Sequence, residues 1–94
     1  MKELVPLGTV VTLKNGDKRL MVVGRIQNQK GQKQVYDYAA CLWPEGLIDS
    51  SHFYLFNHED IHYLYHIGLQ DMQEFNFRYE LEKQYQQIKR DGLI

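Results

Sequence analysis

Ninety-four residues, with eleven Lys and Arg against twelve Asp and Glu and a formal charge of −1, leave room for one small domain and for no strong basic field. Hydrophobic residues form 44% of the chain and charged residues 24%, the balance of a folding sequence and not of a disordered one. A lone Cys41 excludes an internal disulfide, no run approaches the roughly 18 apolar residues of a membrane span, and the first eight residues, broken by Pro6 and Gly8, do not read as a signal peptide.

Thr9-Val10-Val11-Thr12-Leu13 is β-branched and is followed by Asn15-Gly16, the dipeptide favoured in two-residue type I′ hairpins. The returning strand is Arg19 to Ile26, with Gly24 placed for a bulge or a close backbone approach. Polar residues 28–33 then connect to a third strand, Gln34 to Leu42, which ends in a tight turn at Trp43-Pro44-Glu45-Gly46. Phe53 to Phe56 predicts a short strand, and Asn57-His58-Glu59-Asp60 a single helical turn or 3₁₀ link capped by Asn57. Ile61 to Ile67 alternates, with Ile and Tyr on one face and His62, Leu64 and His66 on the other, and Gly68 ends it.

A helix runs from there to Arg90. Asp71 and Glu74 have the spacing of a capping box, Lys89 and Arg90 suit the negative pole, and Gly92 suits the exit. The expected architecture is a single α+β domain over 1–94, β-rich over 1–68 and helical over 69–92. Its sheet is a small curled antiparallel sheet or SH3-like barrel of four or five strands. The helix carries two apolar stripes. Met72, Phe75 and Tyr79 lie on one side, and Phe77, Leu81, Tyr85 and Ile88 lie nearly opposite. One stripe is needed for the sheet, so the second, Phe77 to Ile88, is the candidate partner-binding surface. A homodimer through that stripe is the alternative.

Aromatic residues reach 13%, and all twelve lie between Tyr36 and Tyr85. Rings fill a small core efficiently, and they also form binding surfaces.

His58-Glu59-Asp60-Ile61-His62 is a literal H-E-x-x-H, the zinc-hydrolase pattern, with Glu82 twenty positions further on as a conceivable third ligand. That chemistry needs both histidines on one helical face, whereas this stretch crosses from a turn into an alternating strand. His62 and His66 then read as surface histidines. Cys41, set among Ala39, Ala40, Leu42 and Trp43, reads as a packing cysteine. The first half is locally basic through Lys14, Lys18, Arg19, Arg25, Lys30 and Lys33, so a small nucleic-acid-binding barrel is the second reading, opposed by the near-zero net charge.

Four strings in order carry a family resemblance: Val5-Pro6-Leu7-Gly8-Thr9-Val10-Val11, Met21-Val22-Val23-Gly24-Arg25, Tyr36-Asp37-Tyr38-Ala39-Ala40-Cys41-Leu42-Trp43-Pro44-Glu45-Gly46, and Phe56-Asn57-His58-Glu59-Asp60-Ile61. Over 5–68 the chain resembles a family of small proteins of unknown function encoded in type VII (ESX-like) secretion loci of Gram-positive bacteria. The family motif falls here on Tyr36, Asp37, Tyr38, Pro44, Glu45, Gly46, Asn57, Glu59 and Asp60, and as a pattern it does not require His62.

The resemblance implies an accessory factor for LXG-type toxins, working beside small WXG-like helical proteins. The expectation is therefore a non-enzymatic adaptor without cofactor or metal. Its partner is a helical protein segment, not nucleic acid or membrane. The expected site of synthesis is the cytoplasm, with export alongside the cargo as the alternative. On this reading glutamates at 81 and 85 abolish partner binding and leave the domain folded.

Overall fold

The computed structural model describes residues 3–29 and 31–92. Five strands, β1 (Val10–Leu13), β2 (Leu20–Asn28), β3 (Val35–Leu42), β4 (Tyr54–Phe56) and β5 (Ile61–His66), precede one helix, α1 (Met72–Arg90). A 3₁₀ turn at His58–Asp60 joins β4 to β5. All ladders are antiparallel, in the order β4-β3-β2-β1-β5. The α+β class is as expected, but the sheet is open: β4 and β5 are its two edges and do not close a barrel.

The first connection differs from the sequence expectation. Neither Asn15 nor Gly16 adopts the left-handed conformation that a type I′ turn requires, although Gly16 N–H does donate to Leu13 O at 3.1 Å. β1 meets β2 at Val10↔Met21 and Val11↔Leu20, and continues to Leu13 beside β5, where Lys14 N–H donates to Asp60 O. β1 runs past its pairing with β2 to Leu13, and β2 begins only at Leu20, so residues 14–19 form a wider loop.

Strict alternation also fails in β5. Irregularities between Val10 and Val11 and between Thr12 and Leu13 let Ile61 face Leu13 and Leu64 face Val11. Ile61 packs against the core, whereas Tyr63 and Tyr65 point out, their rings 4.8 Å apart.

The core gathers Leu4, Val11, Leu20, Val22, Tyr38, Ala40, Phe56 and Leu81. Tyr38 and Phe56 stack with centroids 5.4 Å apart, so part of the aromatic content is core. Cys41 is buried, as a packing cysteine would be.

Gly68 marks a close backbone approach. A Cβ there would lie 1.8 Å from Leu7 O, and its N–H donates to the buried Thr9 hydroxyl at 3.1 Å. Gly68→Ala is expected to cost about 3 kcal/mol, because backbone on both sides must part. Gly16→Ala, with nothing within 4 Å of the added methyl, serves as the control. Comparing urea midpoints checks this, and two unchanged midpoints would contradict the close approach.

Candidate interaction surface

Two backbone features of β2 decide where the helix sits. A bulge between Val22 and Gly24 shifts the register against β3 by one residue, so Arg25 faces Tyr38 on the core side instead of solvent. Ile26 then takes φ +54, a left-handed conformation rare for a β-branched residue, and remains packed against the core. That conformation costs about 1–2 kcal/mol. Two consecutive residues of one strand thus turn inward, one of them a cation.

Arg25 satisfies groups that would otherwise be stranded. The segment around Leu4 and Val5 runs buried without a strand partner, and side chains hold its backbone. Val5 N–H donates to Tyr38 Oη at 3.0 Å, Arg25 Nη1 donates to Val5 O at 3.3 Å, and Arg78 Nη1 donates to Leu4 O at 2.8 Å. Arg25 also grips Glu74 with both ends of its fork, Nη1 to Oε2 at 2.5 Å and Nη2 to Oε1 at 2.8 Å. Their side chains are 2% and 11% exposed, so this is a buried ion pair. Arg78 lies 3.9 Å from the same carboxylate and pairs with Glu3 at 3.1 Å. Asp71 caps the helix by accepting from Glu74 N–H, but only half of the expected capping box forms, because the Glu74 carboxylate is committed to Arg25.

The motif residues interlock β3 with the 3₁₀ turn. Asp37 N–H donates to Asn57 Oδ1 at 3.1 Å, and Asp37 Oδ2 accepts from His58 N–H at 2.8 Å. Asp60 Oδ2 accepts from Asn57 N–H at 2.9 Å, and Tyr38 Oη lies 2.7 Å from His58 Nδ1. Tyr36 is half-buried and Glu59 is exposed. The turn after β3 contains a cis Trp43–Pro44 peptide bond, and Gly46 at φ +80 returns its N–H to Leu42 O at 2.7 Å. Glu45 meets Lys18 at 2.7 Å, which holds its carboxyl below the usual range. Asp49 is lowered to about 2, first by the Ser51 hydroxyl and then by His52.

The expected chemistries separate at this point. His58 belongs to the 3₁₀ turn with its ring on Tyr38, while His62 lies exposed on β5, so the H-E-x-x-H does not build the helical pair that a zinc hydrolase uses. Among the described residues no three His, Cys, Asp or Glu side chains cluster as a metal site. The basic half is dispersed: Arg25 is buried against Glu74, Lys18 pairs with Glu45, and Arg19 sits 4.2 Å over the Tyr65 ring. Lys30 lies outside the described residues.

The stripe Phe77, Leu81, Tyr85 and Ile88 requires correction. Leu81 is 8% exposed and part of the core, and Tyr85 and Ile88 are half-buried. Only Phe77 faces outward, near Arg25. The helix face turned inward runs Glu74, Arg78, Leu81, Tyr85 and Ile88, spaced four and three residues apart. Its first two members are charged, so an apolar count places the face wrongly. The opposite stripe is therefore the exposed one: Met72 is 69%, Phe75 44% and Tyr79 62% exposed. Arg78 and Lys83 lie over the Phe75 and Tyr79 rings at 5.2 and 4.8 Å.

Fold and surface define a small open-sheet α+β domain whose helix is pinned by a buried ion pair and presents an apolar stripe outward. The chain belongs to the family described as a domain of unknown function, DUF4176, whose model matches residues 4–77. That span includes the Asp37–Asn57–His58 network and both partners of the Arg25–Glu74 pair. No curated protein and no solved structure matches the chain. No helix among the described residues is long and apolar enough to cross a membrane.

Proposed function

We propose that this protein is a non-enzymatic interaction module, an adaptor that captures a helical segment of a partner protein on α1. The carrying observation is the exposed stripe Met72, Phe75 and Tyr79 on a helix already anchored from its other side. Positions i, i+3 and i+7 form one ridge along a helix, the geometry on which a second helix packs. The Phe75 and Tyr79 rings pack against Arg78 and Lys83, whose charges are already met by Glu3, Glu74 and Glu80, so the surface offered is apolar. An amphipathic helix complements it with its apolar face.

The motif resemblance over 5–68 supplies a candidate partner, the helical region of an LXG-type toxin of a type VII secretion locus, together with small WXG-like helical proteins. Phe75→Glu with Tyr79→Glu is expected to leave the domain folded and to weaken binding of a purified LXG helical region at least tenfold by calorimetry. Undiminished binding by that variant would remove the stripe from the interface. Absence of binding by the parent protein would remove the toxin as partner.

A further inference from the structure

The strand Ile61-His62-Tyr63-Leu64-Tyr65-His66, with Ile67 after it, reads identically in both directions about Leu64. It is also the outer edge of the sheet, paired with β1 on one side only. From these two facts together we infer that β5 is a self-pairing edge. Two copies of the chain join β5 to β5 antiparallel about a two-fold axis through Leu64, giving one continuous ten-stranded sheet.

The occupant follows from symmetry. Antiparallel pairing of a strand with its own copy sets residue i opposite residue j with a constant sum, and a two-fold axis makes the contact isologous. Centred on Leu64, this register sets Ile61 opposite the second copy's Ile67, His62 opposite His66, Tyr63 opposite Tyr65, and Leu64 opposite itself. Only this register matches every residue with its own type. It also keeps the faces continuous, so the Tyr63 and Tyr65 rings extend into the same rings of the second copy. A slip of one residue would set tyrosines against histidines and leucine and turn the faces over. A foreign strand would gain nothing from the palindrome.

Charge and exposure point the same way. Residues 61–70 contain no Lys, Arg, Asp, Glu or Pro, so self-pairing opposes no fixed like charges. Those residue types are the usual protection of an exposed edge. The opposite edge, β4, has only three residues. Within β5 the irregularities of the β1 ladder fall at His62 and Tyr65, on either side of Tyr63 and Leu64, which keep regular register, and the Tyr63 and Tyr65 rings still meet on one face.

Tyr63 is 57%, Leu64 37%, Tyr65 46% and Ile67 49% exposed, which leaves apolar surface to cover on both faces. With Tyr63 and Tyr65 about half exposed and a whole ring burying about 150–250 Å², the four rings of two copies would bury roughly 300–500 Å², below the 1,200–2,000 Å² of stable complexes. The dimer is accordingly weak and forms only as concentration rises.

Sedimentation equilibrium of the full chain from 5 to 500 μM at pH 8 tests this. The mass is expected to rise from the monomer's 11.2 kDa toward twice that value with concentration. Leu64→Lys places two like charges on the axis and is expected to remain monomeric with an unchanged circular dichroism spectrum. Register is read by cysteine cross-linking under mild oxidation. Leu64→Cys should link to itself, whereas Tyr63→Cys should link to Tyr65→Cys and not to itself, because directly opposed Cα atoms stand about 4.5–5.5 Å apart and suit a disulfide. A monomer at 500 μM, a dimer that survives Leu64→Lys, or a different linking pattern would each overturn the proposal. None of these readouts involves Phe75 or Tyr79, so the adaptor reading stands or fails separately.

Discussion

Glu74→Gln is expected to lower the folding stability by about 3–5 kcal/mol, a large share of the roughly 5–14 kcal/mol that a domain of this length holds. The substitution is nearly isosteric, so packing changes little and the effect isolates charge. It leaves the Arg25 guanidinium, 2% exposed at the side chain, without its counter-ion and still beside Arg78. Arg25 Nε already lacks a partner among the described residues, so little spare hydrogen bonding is available to absorb the loss. Arg25→Lys should cost less than the full pair, because the charge remains while the two-pronged grip on Glu74 and the bond to Val5 O do not.

The converse variant separates the value of the pair from the cost of breaking it. Arg25→Met with Glu74→Leu removes both charges together and keeps the volume, so it should cost less than Glu74→Gln, about 1–3 kcal/mol, for the Val5 carbonyl left without its Arg25 donor. Urea unfolding with a common m-value measures all three. If Glu74→Gln costs less than 1 kcal/mol, or the double variant is the weakest of the set, the ion pair is not what pins the helix.

These variants also show why part of the site could be read from residue order and part could not. Strand limits, the Gly24 bulge, the 3₁₀ turn and the Asp71 cap follow from short-range chemistry, in which a residue and its near neighbours decide the outcome. Asn15-Gly16 makes no tight return, because β1 continues to Leu13 beside β5, a strand more than forty residues later, and β2 begins only at Leu20. The inward face of α1 failed for a related reason. Its first anchors, Glu74 and Arg78, are polar because they serve the backbone of a segment near the chain start, and amphipathic counting rejects polar anchors. The signal was present only as charge at the right spacing: Glu74 and Arg78 stand seven and three residues before Leu81.

The string motifs have a physical account where their atoms meet. Gly24-Arg25 supplies the bulge and the cation that it redirects, and Asp37, Tyr38, Asn57 and Asp60 tie β3 to the turn before β5. The motif thus ties β3 to the turn that leads into β5 and places Tyr38 in the core that Leu81 of the helix joins. Pro44, Glu45 and Glu59 of the motif face solvent.

Leu81→Glu is expected to unfold the domain, the reverse of what the outward stripe implied. Leu81 shares the core with Leu4, Val11, Tyr38 and Phe56, so a carboxylate there would be buried among apolar side chains, with the neighbouring Arg78 already committed to Leu4 O, Glu3 and Glu74. Leu81→Ala gives the measurable form of the same loss, about 2–5 kcal/mol, from lost transfer energy plus the cavity left behind. Tyr79→Glu, two residues earlier on the exposed ridge, should stay within about 0.5 kcal/mol of the parent. Circular dichroism and urea midpoints for the three variants decide which face of α1 belongs to the fold. A stable Leu81→Glu protein beside a destabilised Tyr79→Glu protein would reverse the assignment and return the partner surface to Phe77, Leu81, Tyr85 and Ile88. With Leu81 committed to the core, a partner that reads this helix must do so through Met72, Phe75 and Tyr79, because no other ridge of α1 carries large apolar side chains at helical spacing into solvent.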